Sequence, residues 1–306
     1  IIENENFNYS LVANESVFNP RTFTDRNALQ QAVADILRKY VDRFYRRKWE
    51  EWERMQLIYK ALDENDPNLA FNRHVNENGR PAYIVKVSRS KQEIIEAIRK
   101  LSDDLQNLIK GENGNLPRLN FDRHIYLPLL LKKNELVITQ PPALEESESR
   151  FVKDLRDYWQ LESQNSLPEK EVFLLRNLSR GKGIGFFGEN NFYPDFILWV
   201  LDDEGQRIVF VEPHGMMHAK PYNLDDKARL HERLPELAKD IAKRTERMDI
   251  RLDSFIVSAT PYPELKIKYD DGSWDLEHFT QKHILFPNRP LLDGKPYDYI
   301  KIILEG

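Results

Sequence analysis

The chain has 306 residues, 41% of them hydrophobic and 31% charged, and its mean hydropathy is −0.64. That composition excludes a disordered or fibrous protein, and the longest apolar run, Phe196 to Leu201, falls far short of the roughly 18 residues that span a bilayer. Cysteine is absent, which excludes disulfides, thiolate zinc sites and cysteine nucleophiles and fits a reducing, cytoplasmic setting.

Forty-five basic and 50 acidic residues give a net charge of −5. A free-standing nucleic-acid binder carries a basic excess, so any such contact here is local or shared with a partner. The chain opens Ile1-Ile2, with neither methionine nor a signal peptide, and reads as part of a longer protein.

Taken in order, residues 1–23 show no period. From Thr24 to Lys60 no proline or glycine intervenes, and Leu29, Val33, Ile36, Leu37, Tyr40, Val41 and Phe44 keep helical spacing. Thr24 or Asp25 is the expected cap. Arg43, Arg46, Arg47 and Lys48 on this helix form either a solvated face or a phosphate-contacting strip. A short strand is expected at Ala82–Val87 and a helix at Ser90–Ile109. The paired prolines of Gln140-Pro141-Pro142 mark a linker. A mainly helical domain, 1–140, is thus expected before a second domain, 141–306.

The second domain begins with a helix from about Ser147 to Leu161 and a strand at Val172–Leu178. The glycine-rich loop Gly181–Gly185 follows, then strands at Tyr193–Leu201 and Arg207–Glu212. A helical stretch from Asp225 to Met248, broken near Pro235, and a strand at Leu252–Val257 complete an α-β-β-β-α-β order. A helix near Asp275–His283 and a final strand near Tyr297–Leu304 are expected beyond it.

Asp202-Asp203-Glu204-Gly205 between two apolar runs is a hairpin signal. If the turn centres between Asp203 and Glu204, Trp199 faces Ile208, Ile197 faces Phe210 and Asp195 faces Glu212, all on one side of the sheet. Two facing carboxylates at the end of an apolar face repel unless a cation or shared proton joins them, or unless they splay into solvent. An oxygen-only ligand set suits Mg²⁺ or Mn²⁺. Glu148 precedes Phe151 and Val152 on the apolar stripe of its helix and is placed toward the same site. A carboxylate there could equally serve the free N–H groups of the helix start.

Pro194-Asp195 followed by Glu212-Pro213-His214 resembles the PD-(D/E)XK nuclease motif, and the α-β-β-β-α-β order resembles that fold's core. The segments Glu148–Leu155, Phe192–Trp199 and Val209–Gly215 are similar to the C-terminal nuclease regions of DEAD/DEAH-box helicases, relatives of the restriction subunits of type III restriction enzymes. The resemblance covers about residues 141–262. It implies a restriction-endonuclease-like α/β fold and a metal-dependent endonuclease acting on DNA beside an upstream helicase motor, in defence against foreign DNA. It further implies that Glu148, Asp195, Glu212 and the Pro213 carbonyl hold Mg²⁺ or Mn²⁺. The metal would polarise the scissile phosphate and activate a water.

His214 stands where the family motif has lysine. Histidine is shorter and only partly charged at neutral pH. Either His214 takes over, favoured in its charged form by neighbouring carboxylates, or Lys182 or Lys220 reaches in, or the module binds DNA or a protein partner without cutting. Arg180 and Lys182 in the glycine-rich loop are candidate DNA contacts; the loop is no G-x-x-x-x-G-K-[ST] phosphate loop. Ser258-Ala259-Thr260 mimics a helicase motif by coincidence, since no Walker motif precedes it. His214 and His218 have the spacing of a helical zinc pair, but Pro213 and Gly215 argue against a helix there.

Overall fold

In the computed structural model the described residues are 14–56, 84–103, 118–120, 129–131, 137–140, 142–162, 170–177, 184–185, 192–269, 272–287 and 297–306. The chain divides into two compact units, Ile1–Leu57 and Ile58–Gly306, so residue 140 lies inside the second unit. The first contains α1 (Glu15–Phe18) and the long helix α2 (Phe23–Gln56). Thr22, rather than Thr24 or Asp25, caps α2. Its hydroxyl accepts from the Asp25 amide at 3.1 Å while the Asp25 carboxylate accepts from the Thr22 amide at 2.9 Å. This reciprocal pairing satisfies two donors at once. In the expected basic strip, Arg47 and Lys48 both pair with Glu51.

The second unit opens with β1 (Ile84–Val87), α3 (Gln92–Asp103), β2 (Arg118–Asn120), β3 (Leu129–Leu131) and β4 (Val137–Gln140). β1 pairs antiparallel with β4, and β2 with β3, so the stretch before residue 140 carries strands as well as helices. Ile94 of α3 is buried against Val85, Val87, Ile98 and Ala143.

The larger body is mixed α/β. It comprises α4 (Glu146–Glu162), β5 (Glu171–Arg176), β6 (Phe196–Asp202), β7 (Gly205–His214), α5 (Leu230–Thr245), β8 (Ile250–Ser258), α6 (Tyr262–Lys268), α7 (Leu276–Gln281), β9 (Ile284–Leu285) and α8 (Asp298–Glu305). Its five strands lie in the order β5-β6-β7-β8-β9. The first three are antiparallel, and β7-β8 and β8-β9 run parallel.

Side-chain alternation along β6 assigns the two faces. Phe196, Leu198 and Val200 point to α4 and α8, where they meet Phe151, Val152, Leu155, Ile300 and Ile303. Ile197 and Trp199 point the other way, to Leu230, Leu234 and Leu237 of α5. Aromatic residues Tyr222, Tyr269, Phe279 and Phe286 form a third cluster with Ile256 and Ile284.

The β6–β7 register is the expected one: Ile197 faces Phe210, Trp199 faces Ile208 and Asp202 faces Gly205. Gly205 adopts φ 133°, and a Cβ there would collide with the Asp249 carbonyl oxygen. Only glycine fits that turn.

Two expectations are corrected. Residues 298–305 form helix α8, where a strand near Tyr297–Leu304 is expected. Tyr299, Ile300, Ile303 and Leu304 are buried at helical spacing, and the Tyr299 hydroxyl donates to Asp154 of α4 at 2.7 Å. Packing on α4 outweighs the β-propensity of this isoleucine-rich run. The helix expected from Asp225 begins only at Leu230, and exposed Pro235 lies within it, between the apolar anchors Leu234 and Leu237. α6 and β9 were not legible as separate elements.

A partly buried polar chain links β7 and β8 to the start of α5. Arg207 meets Asp253 at 3.0 Å and His283 meets Asp253 at 3.0 Å. The His283 ring lies 4.2 Å from that of His231, whose Nε2 is 3.2 Å from the Tyr222 hydroxyl. That hydroxyl donates to Glu232, which also meets Lys282. Burial, then the His283 charge, pushes His231 down to about 4, against the pull of Glu232 and Asp253. The unfolded chain therefore binds a proton at His231 that the fold refuses. This contribution to stability is complete above pH 6.5 and is lost as pH drops toward 4. The loss is about 1–2 kcal/mol once the ring's partial exposure is discounted. Denaturant titrations at pH 7 and pH 4.5 measure it, and His231→Gln should flatten that part of the profile. An equally steep profile in the variant would assign the loss elsewhere.

Candidate functional site

Asp195 and Glu212 sit side by side at the ends of β6 and β7. The Asp195 amide donates to Glu212 Oε2 at 3.1 Å, just beyond the last register pair of the hairpin, Phe196 with Val211. Glu212 is only 6% exposed. Its other oxygen, Oε1, lies 3.0 Å from Nζ of Lys227, in the connection before α5. The Lys227 ammonium also lies over the Phe192 ring, 4.9 Å from its centroid.

Glu148 lies in the first turn of α4 and serves two partners. Its Oε2 accepts from the Glu145 amide at 2.8 Å and from Arg176 Nη2 at 3.2 Å. The capping role thus coexists with an ion pair in one carboxylate. Arg176, at the end of β5, also donates to the carbonyls of Pro142 and Ala143, and so ties the start of α4 to the sheet. Ser147 of the same turn donates to the Pro213 carbonyl at 2.9 Å, holding α4 against the end of β7.

Asp195 senses the other two carboxylates. Burial first, then the charges of Glu212 and Glu148, push Asp195 up to about 8, with Arg176 and Lys227 opposing. An unpaired, partly buried carboxylate beside two others resists ionisation. Among the described residues the Asp195 carboxylate makes no ion pair, and no three His, Asp or Glu side chains stand in metal-holding geometry. Glu148 is turned to Arg176 and Glu212 to Lys227. The donor chemistry fits a hard divalent cation, being oxygen only: Glu148, Asp195, Glu212 and the Pro213 carbonyl.

His214 ends β7, paired with Ser258, and shares the sheet face of Glu212. Burial pushes its ring below the usual histidine range, and Lys227 adds to this, although Glu212 pulls upward. The charged form expected from its carboxylate neighbours is therefore not favoured. Desolvation outweighs them, since one of those carboxylates is already paired with a lysine. His218 lies in an exposed turn beyond β7 rather than on a helix with His214, so the helical zinc spacing is not realised. Lys220 is exposed in the same connection. Arg180 and Lys182 lie outside the described residues.

Three contributors carried no sequence signal: Lys227, Arg176 and Asn177. The Asn177 side chain donates to the carbonyls of Ile184 and Pro194 at 2.7 and 2.8 Å and accepts from the Ile184 amide at 2.9 Å. It thereby fixes the segment that delivers Asp195. Ser258-Ala259-Thr260 acts locally. The Thr260 hydroxyl accepts from the Met216 amide at 2.7 Å, and the Ala259 amide donates to the His214 carbonyl at 3.0 Å. These bonds anchor the loop that leaves His214.

Comparison with protein-family models, with curated proteins and with solved structures finds no match. No helix among the described residues is long and apolar enough to cross a membrane.

Proposed function

We propose that residues 141–306 are a restriction-endonuclease-like, PD-(D/E)XK-type nuclease module that hydrolyses DNA phosphodiesters with Mg²⁺ or Mn²⁺. The observation that carries this reading is the juxtaposition of Asp195 and Glu212 at adjacent strand ends, with Glu148 near enough to oppose Asp195 ionisation. The α-β-β-β-α-β run from α4 to β8 supports it further. Glu148, Asp195, Glu212 and the Pro213 carbonyl would hold the ion. When bound, it would polarise the phosphate and lower the pKa of the attacking water. Neutral His214 on the same face would accept the proton of that water. Arg180, Lys182 and Lys220 would meet the DNA backbone. The same reading places an upstream helicase motor beside this chain in the cytoplasm.

A second reading rests on the occupied carboxylates. With Glu148 and Glu212 each already paired to a cation, the module would bind DNA or a protein partner without cutting. The deciding assay incubates supercoiled, linear and single-stranded DNA with the protein and Mg²⁺ or Mn²⁺. Wild type, His214→Ala and His214→Lys are compared. Cleavage lost in alanine and kept in lysine supports an assisting role for His214. Equal cleavage in all three makes His214 a bystander. Binding without cleavage by every form, including the protein joined to its motor, supports the second reading.

A further inference from the structure

The two cations at the site are held very differently. The Arg176 side chain is 12% exposed and bonds two backbone carbonyls besides Glu148. Its removal would release the start of α4. The Lys227 side chain is 43% exposed, ends a flexible four-carbon stem and makes one ion pair, to Glu212 Oε1, plus its contact with the Phe192 ring. The backbone beneath it is fixed independently, since the Asp225 carboxylate accepts from the amides of Lys227 and Ala228. The ammonium can thus leave without disturbing the loop.

Charge arithmetic leads to the same residue. Glu148, Asp195 and Glu212 carry −3 when ionised, and Arg176 and Lys227 supply +2. Adding a divalent ion to both cations gives +4 against −3. Adding it while Lys227 withdraws gives +3 against −3. Lys227 also holds the Glu212 oxygen an ion would need.

We infer that Lys227 is a built-in, displaceable counter-ion: a divalent metal enters by exchange with its ammonium at Glu212, while Arg176 stays in place. This rests on the nuclease reading for the identity of the ligands and extends it to how the site is loaded. The exchange frees the Lys227 ammonium at the site when the metal arrives, leaving a mobile cation available for a phosphate.

Calorimetric titration of Mn²⁺ into the DNA-free chain tests this, comparing wild type, Lys227→Met and Lys227→Gln, with Asp195→Asn as the site control. Removing a charge-assisted bond that must otherwise be broken should tighten Mn²⁺ binding about tenfold or more in the Lys227 variants. A second readout needs no variant. Acetylation of Lys227 in wild type, followed by mass spectrometry, should rise on adding Mn²⁺, while that of exposed Lys153 stays constant. Unchanged or weaker binding in the folded variants, or unchanged Lys227 labelling while Mn²⁺ binds, overturns the exchange and leaves the nuclease reading standing. No Mn²⁺ binding by any folded form, or binding that survives Asp195→Asn unaltered, overturns both.

Discussion

Asp195→Asn is expected to lower metal-dependent DNA cleavage by 100-fold or more while leaving the fold intact. A metal acting as a Lewis acid supplies several kcal/mol of transition-state stabilisation. At about 1.4 kcal/mol per decade, displacing that ion removes at least two decades of rate. The fold should not suffer. Asparagine keeps the shape of the side chain, the backbone bond from residue 195 to Glu212 remains, and a neutral amide replaces a carboxyl that its surroundings already hold against ionisation. The midpoint of thermal unfolding should therefore hold. Cleavage and melting measured on the same preparation separate the two effects. Full activity in a folded variant would remove Asp195 from the mechanism, and a collapsed melting midpoint would make it structural.

Phe151→Ala should cost about 3–5 kcal/mol of stability, a large share of the roughly 5–15 kcal/mol that holds an ordinary domain. Phe151 is fully buried between α4 and the sheet, with its ring 5.2 Å from that of Phe196. Nothing nearby is free to fill the space, because Val152, Leu155, Leu198 and Val211 are equally buried. The same substitution should weaken the site, since α4 presents Glu148 and Ser147 from its first turn. Denaturant unfolding at neutral pH measures the loss as a lower midpoint at unchanged slope. A shift below 1 kcal/mol would mean that α4 is not docked as described.

The hairpin was legible because its determinants are local. A two-residue turn closed by Gly205 leaves one register, which runs to Phe196 opposite Val211 and so brings Asp195 beside Glu212. The stripe Phe151, Val152, Leu155, Tyr158 and Trp159 likewise identified the buried face of α4, because helix geometry alone aligns those positions. Glu148 followed from that stripe.

Other features depended on partners distant in the chain. Tyr299, Ile300 and Ile303 suit a strand or a helix by composition, and only the groove beside α4 selects the helix. The state of His214 turned on how deeply the end of β7 is buried, which no neighbour in sequence reveals. Lys227 reaches Glu212 across 15 positions, and Arg176 reaches Glu148 across 28. The amino-acid order by itself determined the β6–β7 hairpin, its turn and the buried face of α4, through short-range geometry. The tertiary structure alone decided which cations those carboxylates face, because an ion pair depends on distance in space, and a charged side chain in a loop has no periodicity to announce its partner.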